Sequence, residues 1–149
     1  MSKELKYLKN LLKEKKINPT YHRIKILQYL KRVKHPHIEE IYRNLSKEIP
    51  TISRVTIYNT LNLFLEKGVV LALSIPGEET RFDGNPSWHH HFICEKCGRI
   101  IDLDIECEYF KKGTVEGHII KELYGYFKGI CRDCLEKREK REEKEDERN

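Results

Sequence analysis

The chain has 149 residues, of which 36% are charged and 38% hydrophobic. This length allows one ordinary domain, or two small domains that each need help in burying a core. No apolar run approaches the roughly 20 residues that span a bilayer, and the charged N-terminus lacks the apolar segment of a signal peptide. We therefore expect a cytoplasmic protein with no membrane partner, in which cysteine thiols stay reduced.

Charge is divided unevenly along the chain. Residues 1–82 carry 16 Lys and Arg against 8 Asp and Glu, a net charge of +8. Residues 83–149 carry 13 against 16, a net charge of −3. A basic half joined to a mildly acidic half indicates a nucleic-acid-binding domain followed by a domain with another role. A generally charged surface without a nucleic-acid partner is the alternative.

Four helices are predicted in the basic half. Apolar residues recur at helical spacing in two segments, residues 3–16 and 20–33. Pro36 fits the first position of a third helix, and Ser53 fits the N-cap of a fourth, which Lys67 and Gly68 end. The expected buried stripe of the fourth helix consists of Val55, Ile57, Leu61, Phe64 and Leu65.

A short β-hairpin is predicted after the helices. Residues 69–75 are apolar and β-branched, residues 76–79 form a Pro-Gly turn, and residues 80–82 return. Helices followed by such a hairpin predict a winged helix-turn-helix, whose fourth helix enters the major groove of DNA. The candidate DNA contacts are the polar and aromatic residues near its start: Ser53, Arg54, Thr56, Tyr58 and Asn59. A winged helix used for protein–protein interaction is the alternative.

The sequence after the hairpin predicts a second domain that contains both strands and a helix. The sequence Gly-Asn-Pro-Ser at residues 84–87 breaks the pattern, so we predict a DNA-binding domain over 1–83, a second domain over 84–135 and a charged tail over 136–149. Within the second domain we expect strands at 89–94 and 99–104, a helix at 107–117 and a third strand at 119–130. The predicted fold class is therefore α+β.

Two CxxC pairs, Cys94 with Cys97 and Cys131 with Cys134, are separated by 33 residues. Four thiolates neutralise Zn²⁺ and fill its tetrahedron, so this spacing predicts a closed structural zinc site. Two reactive dithiols are the alternative. Cys107 is left over, and we expect it to be a buried apolar residue.

A run of three histidines precedes the first CxxC pair. His89 and His91 alternate along a predicted strand and share one face, whereas His90 points away. Asp102, on the neighbouring predicted strand, can face the same way. Imidazole and carboxylate together suit Fe²⁺, Mn²⁺ or Zn²⁺, which indicates a second metal site. A polar surface stretch is the alternative.

The order of several motifs resembles the ferric-uptake-regulator (Fur) family of metal-responsive repressors. These motifs are HPHIEEIY, SRVTIYNTLNLFLEKGVV, TRFD, HHHFICEKCGRIID and GICRDC, and the similarity extends from about residue 5 to 137. The resemblance implies a winged helix joined by a hinge to an α/β dimerisation domain, and a homodimer that binds double-stranded operator DNA. It implies a regulator rather than an enzyme.

The resemblance also assigns the metal ligands by position. Cys94, Cys97, Cys131 and Cys134 stand where the family has its structural zinc ligands. The regulatory Fe²⁺ or Mn²⁺ ligands of the family stand at His35, Asp83, His89, His91 and Asp102. Spacing alone does not select His35 or Asp83. No third metal site is expected.

Within the family, aspartate at positions 83 and 102 resembles the peroxide-responsive subgroup, since iron-uptake members tend to have glutamate there. The resemblance thus implies a metal-dependent repressor that senses peroxide through oxidation of a ligand histidine, with His35 and His89 as candidates. The alternative is an iron-uptake regulator that does not sense peroxide. A metalloenzyme is disfavoured, because the sequence offers no general base or nucleophile beside His89 and His91.

Overall fold

The computed structural model describes residues 2–149 and divides the chain into two compact units, one that ends at Trp88 and one that begins at His89. The predicted domain boundary, after residue 83, therefore lies inside the first unit. Helices and short sheets occur together, so the predicted α+β class is confirmed. None of the helices in residues 2–149 is long and apolar enough to cross a membrane.

The first unit contains four helices that are each capped by a side chain. The helices are α1 (Lys3–Glu14), α2 (Tyr21–Arg32), α3 (Ile38–Glu48) and α4 (Arg54–Glu66). In each case the residue before the helix accepts a hydrogen bond from a backbone N–H three positions on, which satisfies one of the amides left open at a helix start. The capping residues are Ser2, Thr20, His37 and Ser53.

The start of α3 corrects the prediction that Pro36 is the first residue of this helix. The helix begins at Ile38, and the side chain of His37 caps it. Pro36 lies outside because its carbonyl accepts a hydrogen bond from the backbone of Phe82 at 2.9 Å. This contact holds the segment before α3 beside a strand, and His35 takes the left-handed conformation there, with φ of 52°.

The core of the first unit lies between the four helices. Ile57, Leu61 and Phe64 of α4 are buried as predicted, but Val55 is 67% exposed. The prediction for Val55 was wrong because residues two positions apart in a helix cannot share the face that Ile57 buries. The buried cluster consists of Leu8, Leu12, Ile17, Ile26, Leu27, Leu30, Ile41, Leu45, Ile49, Ile52, Ile57, Leu61, Phe64, Val69, Val70 and Phe82.

The predicted hairpin forms the wing of the first unit. Strand β1 (Leu71–Leu73) pairs antiparallel with β2 (Arg81–Asp83), in a register that places Leu71 opposite Asp83. The strands are shorter than predicted. A bridge between His37 and Arg81 continues the pairing toward α3. Strand β2 therefore pairs with β1 and also contacts the segment before α3.

The second unit is built on a three-stranded sheet. Strand β3 (His90–Cys94) lies in the middle, antiparallel to β4 (Ile100–Leu103) and parallel to β7 (Phe127–Gly129). The predicted helix at 107–117 is replaced by a single turn, α5 (Glu108–Lys112), and a small hairpin of β5 (Thr114–Val115) and β6 (His118–Ile119). The predicted strand at 119–130 is broken accordingly, and only its last part joins the sheet.

The charged tail is helical. Helix α6 (Arg132–Arg148) begins at the second CxxC pair, with Cys131 at the N-cap position. Cys134 is the buried residue of this helix. The remainder of the helix is exposed, which agrees with its almost wholly charged composition.

The contrast between Ile57 and Val55 predicts a contrast in stability. Ile57→Ala removes buried methyl groups and leaves a cavity, so we expect the free energy of unfolding to fall by about 2–5 kcal/mol. Val55→Ala removes exposed atoms and should change it by less than about 0.5 kcal/mol. Urea unfolding followed by circular dichroism measures both, and equal losses would contradict the assignment of the buried face.

Candidate metal centres and nucleic-acid interface

The four paired cysteines come together at one end of the sheet of the second unit. Cys94 ends β3, and Cys97 lies in the tight turn toward β4, where Gly98 takes a φ of 73° that favours glycine. Cys131 and Cys134 arrive on the first turn of α6. The parallel pairing of Cys94 with Gly129 brings the start of α6 to this place.

The sulfur atoms have the spacing of a tetrahedral zinc site. The Sγ atoms of Cys94 and Cys134 are 3.9 Å apart, and those of Cys97 and Cys131 are 3.8 Å apart. Zinc–sulfur bonds of about 2.3 Å imply about 3.8 Å between the sulfurs of a tetrahedron. All four cysteines are free thiols, so this is not a disulfide pair. Cys107 is partly buried at the N-cap position of α5, outside this group.

Hydrogen bonding within the cluster favours a bound cation. The backbone N–H groups of Cys97 and Cys131 donate to the sulfur of Cys94 at 3.5 and 3.3 Å and lower its pKa to about 6. Hydrogen bonding to the Cys131 side chain, together with burial, raises the pKa of Cys134 to about 12. Cys134 thus keeps its proton at neutral pH without a cation, whereas a bound divalent cation stabilises thiolates.

A first group of nitrogen and oxygen donors lies in the first unit. The Nε2 atom of His35 is 3.3 Å from the Oδ2 atom of Asp83, and both residues are buried. A side-chain contact helps to bring them together, because the guanidinium of Arg81, on the strand that ends at Asp83, donates to the backbone carbonyl of His35 at 3.0 Å. The pair is therefore formed by the joint between the wing and α3.

A second group lies in the second unit. Asp102 is opposite His91 in the pairing of β3 with β4. Its Oδ1 atom is 3.2 Å from Nε2 of His89 and 3.4 Å from Nε2 of His91. The ring of His90 instead lies 5.6 Å from that of Phe127. His91 and Asp102 thus meet across the sheet, and His89, which directly precedes β3, contacts the same carboxylate oxygen.

Lys31 lies beside the first group, and no pattern in the sequence predicts this placement. Its Nζ atom donates to the carbonyl of Gly84 at 2.6 Å, immediately after Asp83. Gly84 packs so closely on α2 that a Cβ atom would overlap the carbonyl oxygen of Leu30. Burial lowers the pKa of Lys31, while the Asp83 carboxylate opposes this shift. These contacts span more than 50 residues, so no local pattern could have revealed them.

The predicted DNA-binding residues divide into two sets on α4. Tyr58 is 55% exposed, Asn59 is exposed, and Thr56 is partly exposed, so all three can reach a ligand. Thr56 and Asn59 also line a shallow groove with the start of α2. Ser53 instead accepts from the backbone N–H of Thr56 at 3.1 Å, and Arg54 forms an ion pair with another helix. The Oγ1 atom of Thr56 also contacts the hydroxyl of Ser53 at 3.0 Å, and the Arg54 side chain is 57% exposed despite its ion pair. All five predicted residues are thus at least partly exposed.

Comparison with known proteins identifies the family. The Ferric uptake regulator family matches residues 14–124. The peroxide-responsive repressor PerR of Staphylococcus aureus is 37% identical over 134 residues, which cover 85% of this chain and 88% of the relative.

Solved structures agree with this match. The Campylobacter jejuni peroxide stress regulator has a TM-score of 0.64 at 30% identity and covers 90% of this chain and 100% of its own. The Helicobacter pylori ferric uptake regulator Fur has a TM-score of 0.67 at 21% identity, over 89% of this chain and 91% of its own, and shares the fold. The chain therefore belongs to the Ferric uptake regulator family.

Proposed function

We propose that this protein is a homodimeric, metal-dependent transcriptional repressor that binds operator DNA and responds to peroxide. The observation that carries the proposal is the separation of two donor chemistries: a four-cysteine cluster, and His–Asp groups that contain no thiol. The similarity to relatives named peroxide-responsive repressor PerR supports the peroxide response.

The cysteine cluster holds a structural zinc ion in this proposal. Four thiolates leave no open coordination position, so such a site stabilises the fold and performs no chemistry. Cys94, Cys97, Cys131 and Cys134 would be the ligands. Bound Zn²⁺ would tie β3, the turn before β4 and the first turn of α6 to one another.

The His–Asp groups form the regulatory site in this proposal. His35 and Asp83 of the first unit, with His89, His91 and Asp102 of the second, would share one Fe²⁺ or Mn²⁺ ion. An ion that needs ligands from both units binds best when the units close on each other, so its binding shifts the population toward that state. A shift from 1:99 to 99:1 requires about 5.5 kcal/mol of differential binding.

Helix α4 is the DNA-reading element in this proposal. Thr56, Tyr58 and Asn59 would contact base edges and phosphates, while Ser53 holds the first turn of the helix in shape. The net charge of +8 over residues 1–82 would supply the salt-dependent part of the affinity.

A second copy of the chain is the proposed partner of the second unit. Large apolar side chains are exposed there, among them Ile119 at 80% and Tyr124 at 83%. Exposed apolar side chains in a unit this small indicate an interface. A dimer would present two α4 helices to two half-sites of an operator.

The peroxide response depends on the regulatory ligands. Bound Fe²⁺ supplies the capacity to reduce peroxide beside these side chains, whereas Mn²⁺ supplies a redox-stable occupant. His35 or His89 would be the oxidised residue: one oxygen atom of peroxide would be added to the imidazole, and the other would leave as water. Oxidation of either imidazole would remove one of the five donors, and this loss would weaken the shared attachment of the two units.

The zinc assignment predicts the behaviour of cysteine variants. Cys134→Ser should lower the zinc content from about one ion per chain to near zero, and should lower the melting temperature, because the site contributes to folding. Cys107→Ser is the matched control and should keep its zinc. Elemental analysis and thermal unfolding measure both properties. A Cys134→Ser protein with full zinc content would overturn the assignment.

The regulatory assignment predicts metal-dependent DNA binding. A duplex selected from a randomised pool by the Mn²⁺-loaded protein should bind in fluorescence anisotropy when Mn²⁺ is present and much less after chelation with a weak chelator. His35→Ala and His91→Ala should each need at least about 10-fold more Mn²⁺ for half-maximal binding, since outer-sphere changes alone cost that much.

His118→Ala provides the control for these variants, because His118 is an exposed histidine of β6 outside both donor groups. Its Mn²⁺ requirement should equal that of the unmodified protein. DNA binding that is independent of Mn²⁺, or unaffected by His35→Ala, would contradict the shared site.

The peroxide response predicts a change in mass. Protein loaded with Fe²⁺ and exposed to peroxide should gain the mass of one oxygen atom, on a peptide that contains His35 or His89, and should release the duplex. Protein loaded with Mn²⁺ should show neither change. If the Fe²⁺ form also keeps its mass and its DNA, the protein is an iron-uptake type of regulator.

A further inference from the structure

Arg54, the first residue of α4, is held by Glu39 of α3. The Nε atom of Arg54 donates to Oε1 of Glu39 at 2.8 Å, and its Nη2 atom donates to Oε2 at 3.2 Å. The guanidinium carbon also lies 4.0 Å from the ring centroid of Tyr42. Two parallel hydrogen bonds and a stacked ring fix the orientation of an arginine more firmly than a single surface contact does.

Both members of this pair carry their charges at neutral pH. Hydrogen bonding from Arg54 lowers the pKa of Glu39, and the same contact raises the pKa of Arg54. The pair is therefore a cation and an anion whose net charge is zero, located at the first turn of the DNA-reading helix. Without Glu39, an arginine at the first turn of this helix would be well positioned to bind a DNA phosphate.

Glu39 also borders the face that α4 presents to a ligand. It lines a groove together with Tyr58 and Asn62 of α4 and with Glu79 and Thr80 of the wing. A free Arg54 at this edge would add a contact to the DNA backbone, which contributes affinity without sequence information. In the pair, Glu39 neutralises the charge of Arg54 and accepts from two of its five N–H donors, which weakens its attraction to phosphate. The other side chains of α4 then account for a larger share of the discrimination.

Building on the proposed DNA-binding function, we propose that Glu39 is a specificity-determining residue, which retains Arg54 within the protein and withholds it from DNA phosphates. Arg54 is then a positioning residue that joins the starts of α3 and α4. The geometry assigns it this role in place of the DNA contact that the sequence suggested.

The test compares the salt dependence of DNA binding in Glu39→Gln with that of the unmodified, Mn²⁺-loaded protein. The amide keeps the shape of Glu39 but loses the charge that retains Arg54. For a random-sequence duplex, we expect the slope of log affinity against log salt to steepen by about 0.9, which is one additional phosphate contact. Affinity for this duplex should rise by about 3- to 10-fold at low salt. Affinity for the selected duplex should rise less, so the specificity ratio falls.

Two further variants separate release of Arg54 from a simple change in net charge. Glu66→Gln makes the same charge change at the exposed far end of α4 and should leave the slope unchanged. The double variant Glu39→Gln with Arg54→Gln should return the slope to that of the unmodified protein. Circular dichroism checks that each variant is folded.

The outcomes distinguish this inference from the proposed function. If Arg54→Gln alone makes the slope shallower by about 0.9, Arg54 is a phosphate ligand in the normal complex and the inference is wrong. A Glu39→Gln slope no steeper than that of Glu66→Gln also overturns it. Failure of the unmodified protein to bind any duplex with Mn²⁺ would instead reject the proposed function.

Discussion

The clustering of four sulfur atoms is the constraint on which the second unit depends. This unit is small, and its buried cluster is formed by Cys94, Cys131 and Cys134 with Phe92 and Ile101 packed against them. A unit of this size buries too little apolar surface to hold several short strands and an isolated helix turn in place. Metal bonds can replace the missing apolar core, because a cation that binds four thiolates joins segments far apart in the chain.

The first unit is stabilised by a hydrophobic core, and its candidate metal ligands lie beside that core. Four helices and the wing bury a continuous hydrophobic core, which holds them together without an ion. The backbone bridge between His37 and Arg81, and the hydrogen bond from the Arg81 guanidinium to the His35 carbonyl, bring His35 and Asp83 together. A site of this kind can gain or lose an ion without unfolding the unit, which is what a regulatory site requires.

Ligand chemistry separates the two kinds of site. Thiolates favour Zn²⁺, whereas imidazole and carboxylate accept Fe²⁺ and Mn²⁺ readily. The chain keeps the two donor sets apart even within the second unit. His91 and Asp102 are paired across β3 and β4, whereas the cysteines lie at the end of β3, in the turn after it and at the start of α6. Charged and neutral side chains are likewise separated on α4. Arg54 is paired with Glu39, whereas the exposed residues Tyr58 and Asn59 are neutral.

The sequence by itself determined the elements whose signals are local. CxxC spacing, alternation of His89 and His91, helical periodicity and the Ser53 cap all report on neighbours within a few positions, and each was found where expected. Motif order also identified the family. Tertiary structure decided the rest: Val55 faces outward, residues 107–130 break into short pieces, and Pro36 lies outside α3. It also paired His35 with Asp83, Lys31 with Gly84 and Arg54 with Glu39. These pairs join residues 15 to more than 50 positions apart, and only the packing of the folded chain sets such distances.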